Sequence, residues 1–150
     1  MLVFRLASRK YEQTGSEGAS RYGGRWNQVG TPVIYASATR SLAAIEVIAH
    51  QGAIPGDYQV ILIEIPDGVA IESLDPAVLP DGWPDGDDEA KTAALGTEWA
   101  NSLRTAVFRV PSAAIRSEHN YILNPVHPDF GSIRFESPAA ERIDPRLQRT

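Results

Sequence analysis

At 150 residues with 43% hydrophobic side chains, the chain is long enough for one domain with a real core and needs neither disulfide nor metal to stabilise it. Nineteen acidic residues against fourteen basic give a formal net charge of -5, too negative for the broad positive field that tracks a phosphate backbone, so no direct nucleic-acid partner is expected. Cysteine is absent, which excludes thiol nucleophiles, thiolate metal sites and disulfides and is compatible with a reducing compartment.

The N-terminal "MLVFRLASRKYEQ" has too few apolar residues before Arg5 for a secretory signal, and the strongest apolar run, "VILIEI", is far short of a membrane span. A soluble, cytoplasmic protein of one domain, residues 1–150, is expected, with no membrane partner. "LVFRLA" (2–7) has the β-branched and aromatic content of a strand, "GSEGAS" reads as a turn, and "PVIYAS" (32–37) reads as a second strand. In "SLAAIEVIAHQG" (41–52), Leu42, Ile45, Ile48 and Ala49 share one face of a helix that stops at Gly52. "YQVILIEIP" (58–66) is apolar on both faces, as an interior strand is, and "PDGWPDGDDE" (80–89) reads as an acidic loop running into a helix start. A second helix is predicted over 88–104 with Arg104 in its last turn, followed by strands at 105–112 and 132–137. Strands outnumber helices without alternating with them, which points to an α+β fold.

Four residues stand out as candidates for chemistry. In "GGRWN", the paired glycines allow positive φ angles and close approach to a ligand, while the Arg25 guanidinium offers a fork of donors suited to phosphate; a solvated arginine on a surface turn is the alternative. Tyr35 shares a strand face with Val33, opposite Ile34 and Ala36, either in the core or lining a cleft. Glu46 falls at the shoulder of the apolar helix face, a costly place for an unpaired charge unless a cation or ligand meets it there. Ser112 follows Pro111 at a strand end, where it caps a turn or positions a ligand; no Gly-x-Ser-x-Gly elbow surrounds it. The three histidines lack a zinc spacing and no Gly-Lys-Ser/Thr follows "GSEGAS", so neither a metal nor a phosphate loop is assigned.

Together, "GGRWN", "VIYAS" with "SLAAIEV", and "VFRVPSAAIRSEHNYILNPVHPDF" resemble the RES-domain toxins, over nearly the whole chain. The resemblance implies an ADP-ribosyltransferase-like split β-sheet with packed helices and a cleft that binds NAD+ as substrate. It carries the family's arginine, tyrosine, glutamate and serine onto Arg25, Tyr35, Glu46 and Ser112. Asn120 and Asn124 join them as binding residues, and Arg5 in "VFRLA" matches an N-terminal arginine supporting the same cleft. In the implied reaction, Glu46 steadies the positive charge that develops on the ribose. Tyr35 flanks the nicotinamide, Arg25 holds the pyrophosphate or ribose end, and Ser112 fixes the ribose or nicotinamide. The implied function is NAD+ degradation by a toxin, as glycohydrolase or phosphorylase. Mono-ADP-ribosylation of a protein and a non-catalytic NAD-binding module are the alternatives. A Xre-type helix-turn-helix antitoxin is the implied partner, covering the active site in a hetero-oligomer and supplying the DNA binding that this acidic chain lacks.

Overall fold

The computed structural model describes residues 1–10, 15–86, 88–138 and 141–148. It arranges seven strands in a mixed sheet of order β4-β5-β6-β2-β1-β3-β7. The strands are β1 (Leu2–Ser8), β2 (Ile34–Ser37), β3 (Tyr58–Glu64), β4 (Ile71–Ser73), β5 (Val107–Pro111), β6 (His119–Leu123) and β7 (Arg134–Phe135). Neighbours run antiparallel except the edge pair β4 and β5. Three helices accompany them: α1 (Glu17–Tyr22), α2 (Arg40–Gln51) and α3 (Glu89–Ser102). None of the described helices is long and apolar enough to cross a membrane.

The sheet is nearly two sheets. β1 and β3 pair along their full length, from Leu2 opposite Glu64 to Ser8 opposite Tyr58, and β2 pairs with β6 from Ile34 opposite Leu123 to Ser37 opposite Asn120. β1 and β2 are joined by a single pair, Phe4 opposite Ser37. The α+β class and the split sheet are both present.

Strand alternation sorts the side chains into two faces. On one, Val3, Ile34, Ala36, Ile61, Ile63, Tyr121 and Leu123 form a continuous apolar cluster. The other face is divided. α2 lays Ala43, Val47 and Ile48 over Phe4, Leu6 and Val60, while Trp26, Trp83 and Trp99 cover Phe108, Val110 and Ile122. Between the two packs lie the polar positions of the central strands, Ser37 and Asn120, with Tyr35 beside them on the same face.

α2 starts where the Thr39 Oγ1 accepts the Leu42 N–H at 3.0 Å and ends at Gly52, whose φ of +83° is left-handed. Its buried phase differs from the expectation. Leu42 and Ala43 are buried, whereas Ile45 is 37% exposed and Ala49 is also exposed. "SLAAIEVIA" is apolar almost all round, so two stripes compete, and the stripe through 43 and 47 wins because Phe4, Leu6 and Val60 lie beneath it. With 42, 43 and 47 inward, the 3.6-residue period carries Glu46 into the interface instead of leaving it at the shoulder.

Other boundaries also move. "EGASRY" forms α1 where a turn was expected, closed by Gly23 at φ +71° with its N–H on the Ala19 carbonyl. β4 and β6 were not anticipated as strands. The strand expected over 132–137 keeps only Arg134–Phe135, preceded by a 3-10 turn at Pro128–Ser132. α3 stops at Ser102, so Arg104 lies beyond the last turn; it forks instead onto the carboxylates of Glu72 and Glu98, tying β4 to α3.

The contact that seats α3 is backbone to backbone. Gly96 lies so close to Trp26 that a Cβ there would fall inside the Trp26 carbonyl oxygen. Gly96→Ala should therefore push α3 off the Trp26 turn and cost about 1–3 kcal/mol. Urea denaturation would show this as a lower midpoint at unchanged slope, and an unaltered midpoint would contradict the packing described.

Candidate functional site

β2 contributes two side chains on one face, Tyr35 and Ser37, about 7 Å apart along the strand. Each is the centre of a polar cluster, and the two clusters make the site.

The first is built on Glu46. Its Oε1 accepts hydrogen bonds from the Ser112 hydroxyl at 2.6 Å and the Asn120 Nδ2 at 2.7 Å. Ser112 is 0% exposed and stands at the end of β5; Asn120 stands on neighbouring β6. The Ser112 oxygen also accepts the N–H groups of Ala114 and Ile115 at 3.1 and 3.0 Å, which orients its proton toward the carboxylate. The turn-cap reading of this serine thus holds, and its proton is engaged by Glu46. Asn120 is fixed in turn by Ser37, whose hydroxyl donates to its Oδ1 at 2.7 Å and so leaves the amide N–H pointing at Glu46. Oε2 of Glu46 has no protein donor among the described residues. Two elements far apart in sequence thereby hold one carboxylate oxygen and leave the other available.

The second cluster is built on Tyr35. Its hydroxyl donates to the Asn27 Oδ1 at 2.6 Å and accepts the Trp26 N–H at 3.1 Å. Burial drives the phenol well above its ordinary pKa; the Trp26 N–H opposes that shift, the Glu89 carboxylate adds to it and the Arg25 charge also opposes it. Tyr35 is therefore a neutral donor at physiological pH. The close approach provided by the glycine pair is to this tyrosine: a Cβ on Gly24 would stand 2.7 Å from the Tyr35 hydroxyl. Asn27 is buried, and its Nδ2 donates to the carbonyls of Ala19 and Thr31, so it locks the whole turn as well as the phenol. Arg25 is half-buried beside this cluster, its Nη1 donating to the Trp83 carbonyl at 2.7 Å.

Arg5 lies on β1 next to Phe4, the residue that joins the two halves of the sheet. Its Nη1 is buried with no hydrogen-bond partner among the described residues. Burial lowers its pKa, and no carboxylate pairs with it among the described residues. A buried cation without an anion is an expensive arrangement, and one that a negatively charged ligand relieves.

Of the seven residues singled out from the sequence, Glu46, Ser112 and Asn120 are in direct contact, Arg25 and Tyr35 sit together at the other cluster, and Arg5 lies on β1. Asn124 is set apart. It is buried at the far end of β6, where its Nδ2 donates to the Ala100 carbonyl and its Oδ1 accepts the Val126 N–H. Three participants went unassigned: Ser37, Asn27 and Trp83. Ser37 was accessible to reasoning, being two residues beyond Tyr35 and so on its face. Asn27 lies inside the "GGRWN" motif, whereas nothing local marks Trp83. Among the described residues no group of three or more histidine, aspartate or glutamate side chains is placed to hold a metal.

Comparison with known proteins gives consistent matches. The RES domain family matches residues 2–145. A protein of Sphingobium sp. (strain YBL2) named Prs ADP-ribosylating toxin is 36% identical over 148 residues, covering 95% of this chain and 92% of the relative. A protein of Photorhabdus laumondii named Toxin Res is 36% identical over 134 residues, covering 87% and 85%. Among solved structures, a chain in the crystal structure of the M. tuberculosis MbcT-MbcA toxin-antitoxin complex superposes with a TM-score of 0.74 at 21% identity, over 92% of this chain and 82% of that one. The last match establishes a shared fold.

Replacing Ser112 with alanine removes one donor to Glu46 and strands two backbone N–H groups. It should lower stability by about 1–3 kcal/mol. Urea unfolding of purified Ser112→Ala would reveal a serine of purely surface character if the midpoint stayed where it is in the unmodified chain.

Proposed function

The chain belongs to the RES domain family, and we propose that it is the toxin of a toxin–antitoxin pair that consumes NAD+ by breaking the bond between nicotinamide and ribose. The observation that carries this reading is the Glu46 carboxylate, pinned through Oε1 by Ser112 and Asn120 with Oε2 left for a ligand.

Departure of nicotinamide with the bonding electron pair leaves an oxocarbenium-like ribose, and the barrier falls most where fixed negative charge already faces the developing positive charge. Glu46 meets that need, its Oε2 accepting a ribose hydroxyl and stabilising the cation. Ser112, fully buried with its hydroxyl engaged on both sides, acts through Glu46 by holding it. Asn120 does the same. Tyr35 presents a rigid ring at the cleft wall against which the nicotinamide is oriented, and Arg25 and Arg5 supply positive charge for the pyrophosphate. Arg5 pairs with Ile61 and alternates with Phe4 and Leu6, so its Cβ starts on the strand face opposite α2, and its place in that set rests on the family resemblance. Asn124, named by the resemblance as a binding residue, has a supporting role in this reading, tying the end of β6 to α3 through the Ala100 carbonyl.

Water as acceptor gives ADP-ribose, and inorganic phosphate gives its phosphorylated counterpart. A protein side chain as acceptor is the second reading, favoured by the name of the Sphingobium relative, an ADP-ribosylating toxin. An antitoxin partner is supported by the toxin–antitoxin complex in which a chain of this fold occurs; its Xre helix-turn-helix type and its seat over the cleft are what the family resemblance implies.

Incubating the purified protein with NAD+, with and without phosphate, should release nicotinamide, and Glu46→Gln should slow release by on the order of 10²-fold or more while leaving the fold intact. Full activity in that variant would remove Glu46 from the chemistry. Modification of a discrete protein without net loss of NAD+ would favour the second reading. Arg5→Met should raise the KM for NAD+ more than it lowers kcat, because it removes a charge for the pyrophosphate; an unchanged KM would place Arg5 outside the cleft.

A further inference from the structure

Among the described residues, Arg25 is held by neutral groups. Its Nη1 donates to the Trp83 carbonyl at 2.7 Å, and its guanidinium carbon lies 5.8 Å from the centre of the Trp83 ring. Among the described residues no carboxylate forms an ion pair with it. The contrast with Arg104, whose charge is shared between Glu72 and Glu98, is direct. A carboxylate would fix an arginine and also cancel its charge, leaving it in competition with any anionic ligand. A carbonyl dipole and the negative face of an indole fix it without cancelling anything.

Trp83 can do this because its loop is anchored. The ring is buried, and it packs against Trp26, the residue next to Arg25, with centroids 5.9 Å apart. Gly82 and Gly86, both in the left-handed region at φ +75° and +88°, flank the short 3-10 turn Trp83–Asp85 that presents the carbonyl. On the other side, α3 holds the Arg25 turn itself, through Gly96 under Trp26 and the Thr97 hydroxyl accepting the Gln28 N–H at 2.9 Å. The Arg25 turn is therefore packed against both α3 and the 80–86 loop.

We infer that Trp83 is a positioning residue that keeps Arg25 aimed with its charge uncompensated, so that this loop sets the affinity of the site for a dianionic pyrophosphate-containing ligand. The inference rests on the proposed NAD+ reading for the ligand, while the Trp83–Arg25 relation itself does not.

The test therefore has two arms. In the first, the 15N relaxation of the Arg25 Nε–Hε group is measured without ligand in the wild type, in Trp83→Phe, which keeps a π face, and in Trp83→Leu, which keeps only apolar bulk. Restricted motion in the wild type and Trp83→Phe with increased motion in Trp83→Leu is expected; equal motion in all three overturns the inference, whatever the protein does to NAD+. In the second arm, Trp83→Leu should raise the KM for NAD+ by on the order of 3- to 10-fold at similar kcat, with Trp83→Phe restoring most of the loss. In an Arg25→Ala background, Trp83→Leu should add nothing, because the route through Arg25 is already gone. Additive effects, or identical losses in the leucine and phenylalanine variants, would reduce Trp83 to a packing residue. A wild type inert toward NAD+ would count against the proposed function, and the relaxation arm would still decide this inference.

Discussion

A carboxylate held at one oxygen by two donors from the far side of the sheet is the constraint around which this molecule is arranged. Glu46 sits in a half-buried interface where an unpaired charge is costly, and Ser112 and Asn120 offset that cost with short hydrogen bonds. Neither donor can do so unless β5 and β6 are in register, with β6 beside β2, and unless α2 packs with position 46 facing inward. The helix phase, the strand order and the serine cap are thus parts of one requirement. Ser37 completes it, because an asparagine amide has two ends and something must decide which one faces the acid.

The division of the sheet follows the same logic. A continuous β1–β2 ladder would close the space between the α2 pack and the tryptophan pack. Limiting the join to the Phe4–Ser37 pair keeps the two halves attached while leaving polar groups between them. Two arginines lack an acidic partner among the described residues, in two different ways. Arg25 is held by a carbonyl and an indole ring, and Arg5 is half-buried with one nitrogen, Nη1, that no described residue satisfies. In the proposed reading, Arg25 stays effective toward an anionic ligand because no described carboxylate pairs with it.

The tyrosine cluster shows what the glycine pair in "GGRWN" is for. Gly23 supplies a positive φ after α1, and Gly24 supplies the absence of a side chain beneath the Tyr35 hydroxyl. The turn is thus fitted to the phenol and Asn27, and Arg25 emerges from it in a fixed direction. Rigidity at this point is inherited from α3, whose Gly96 accepts the Trp26 backbone at a distance that no other residue permits.

The sequence by itself determined the α+β class, the principal strands, the two longer helices and the family membership with its four marked residues, because these depend on local composition, period and motif order. Even the face of Tyr35 followed from strand alternation. Tertiary structure decided the rest. It chose between two apolar stripes on α2, since only the surface beneath the helix distinguishes them, and that choice turned Glu46 inward. It made a strand of "HNYIL", which pairs with the preceding β5 on one side and on the other with β2, far away along the chain, and drew Ser37 and Asn120 together. It ended α3 before Arg104 and gave that arginine to two glutamates. It also brought Trp83, carried in a loop with no periodicity to read, against Arg25, 58 positions away. Contacts between residues so far apart leave no local pattern, because their energy depends on packing that exists only once the chain has folded.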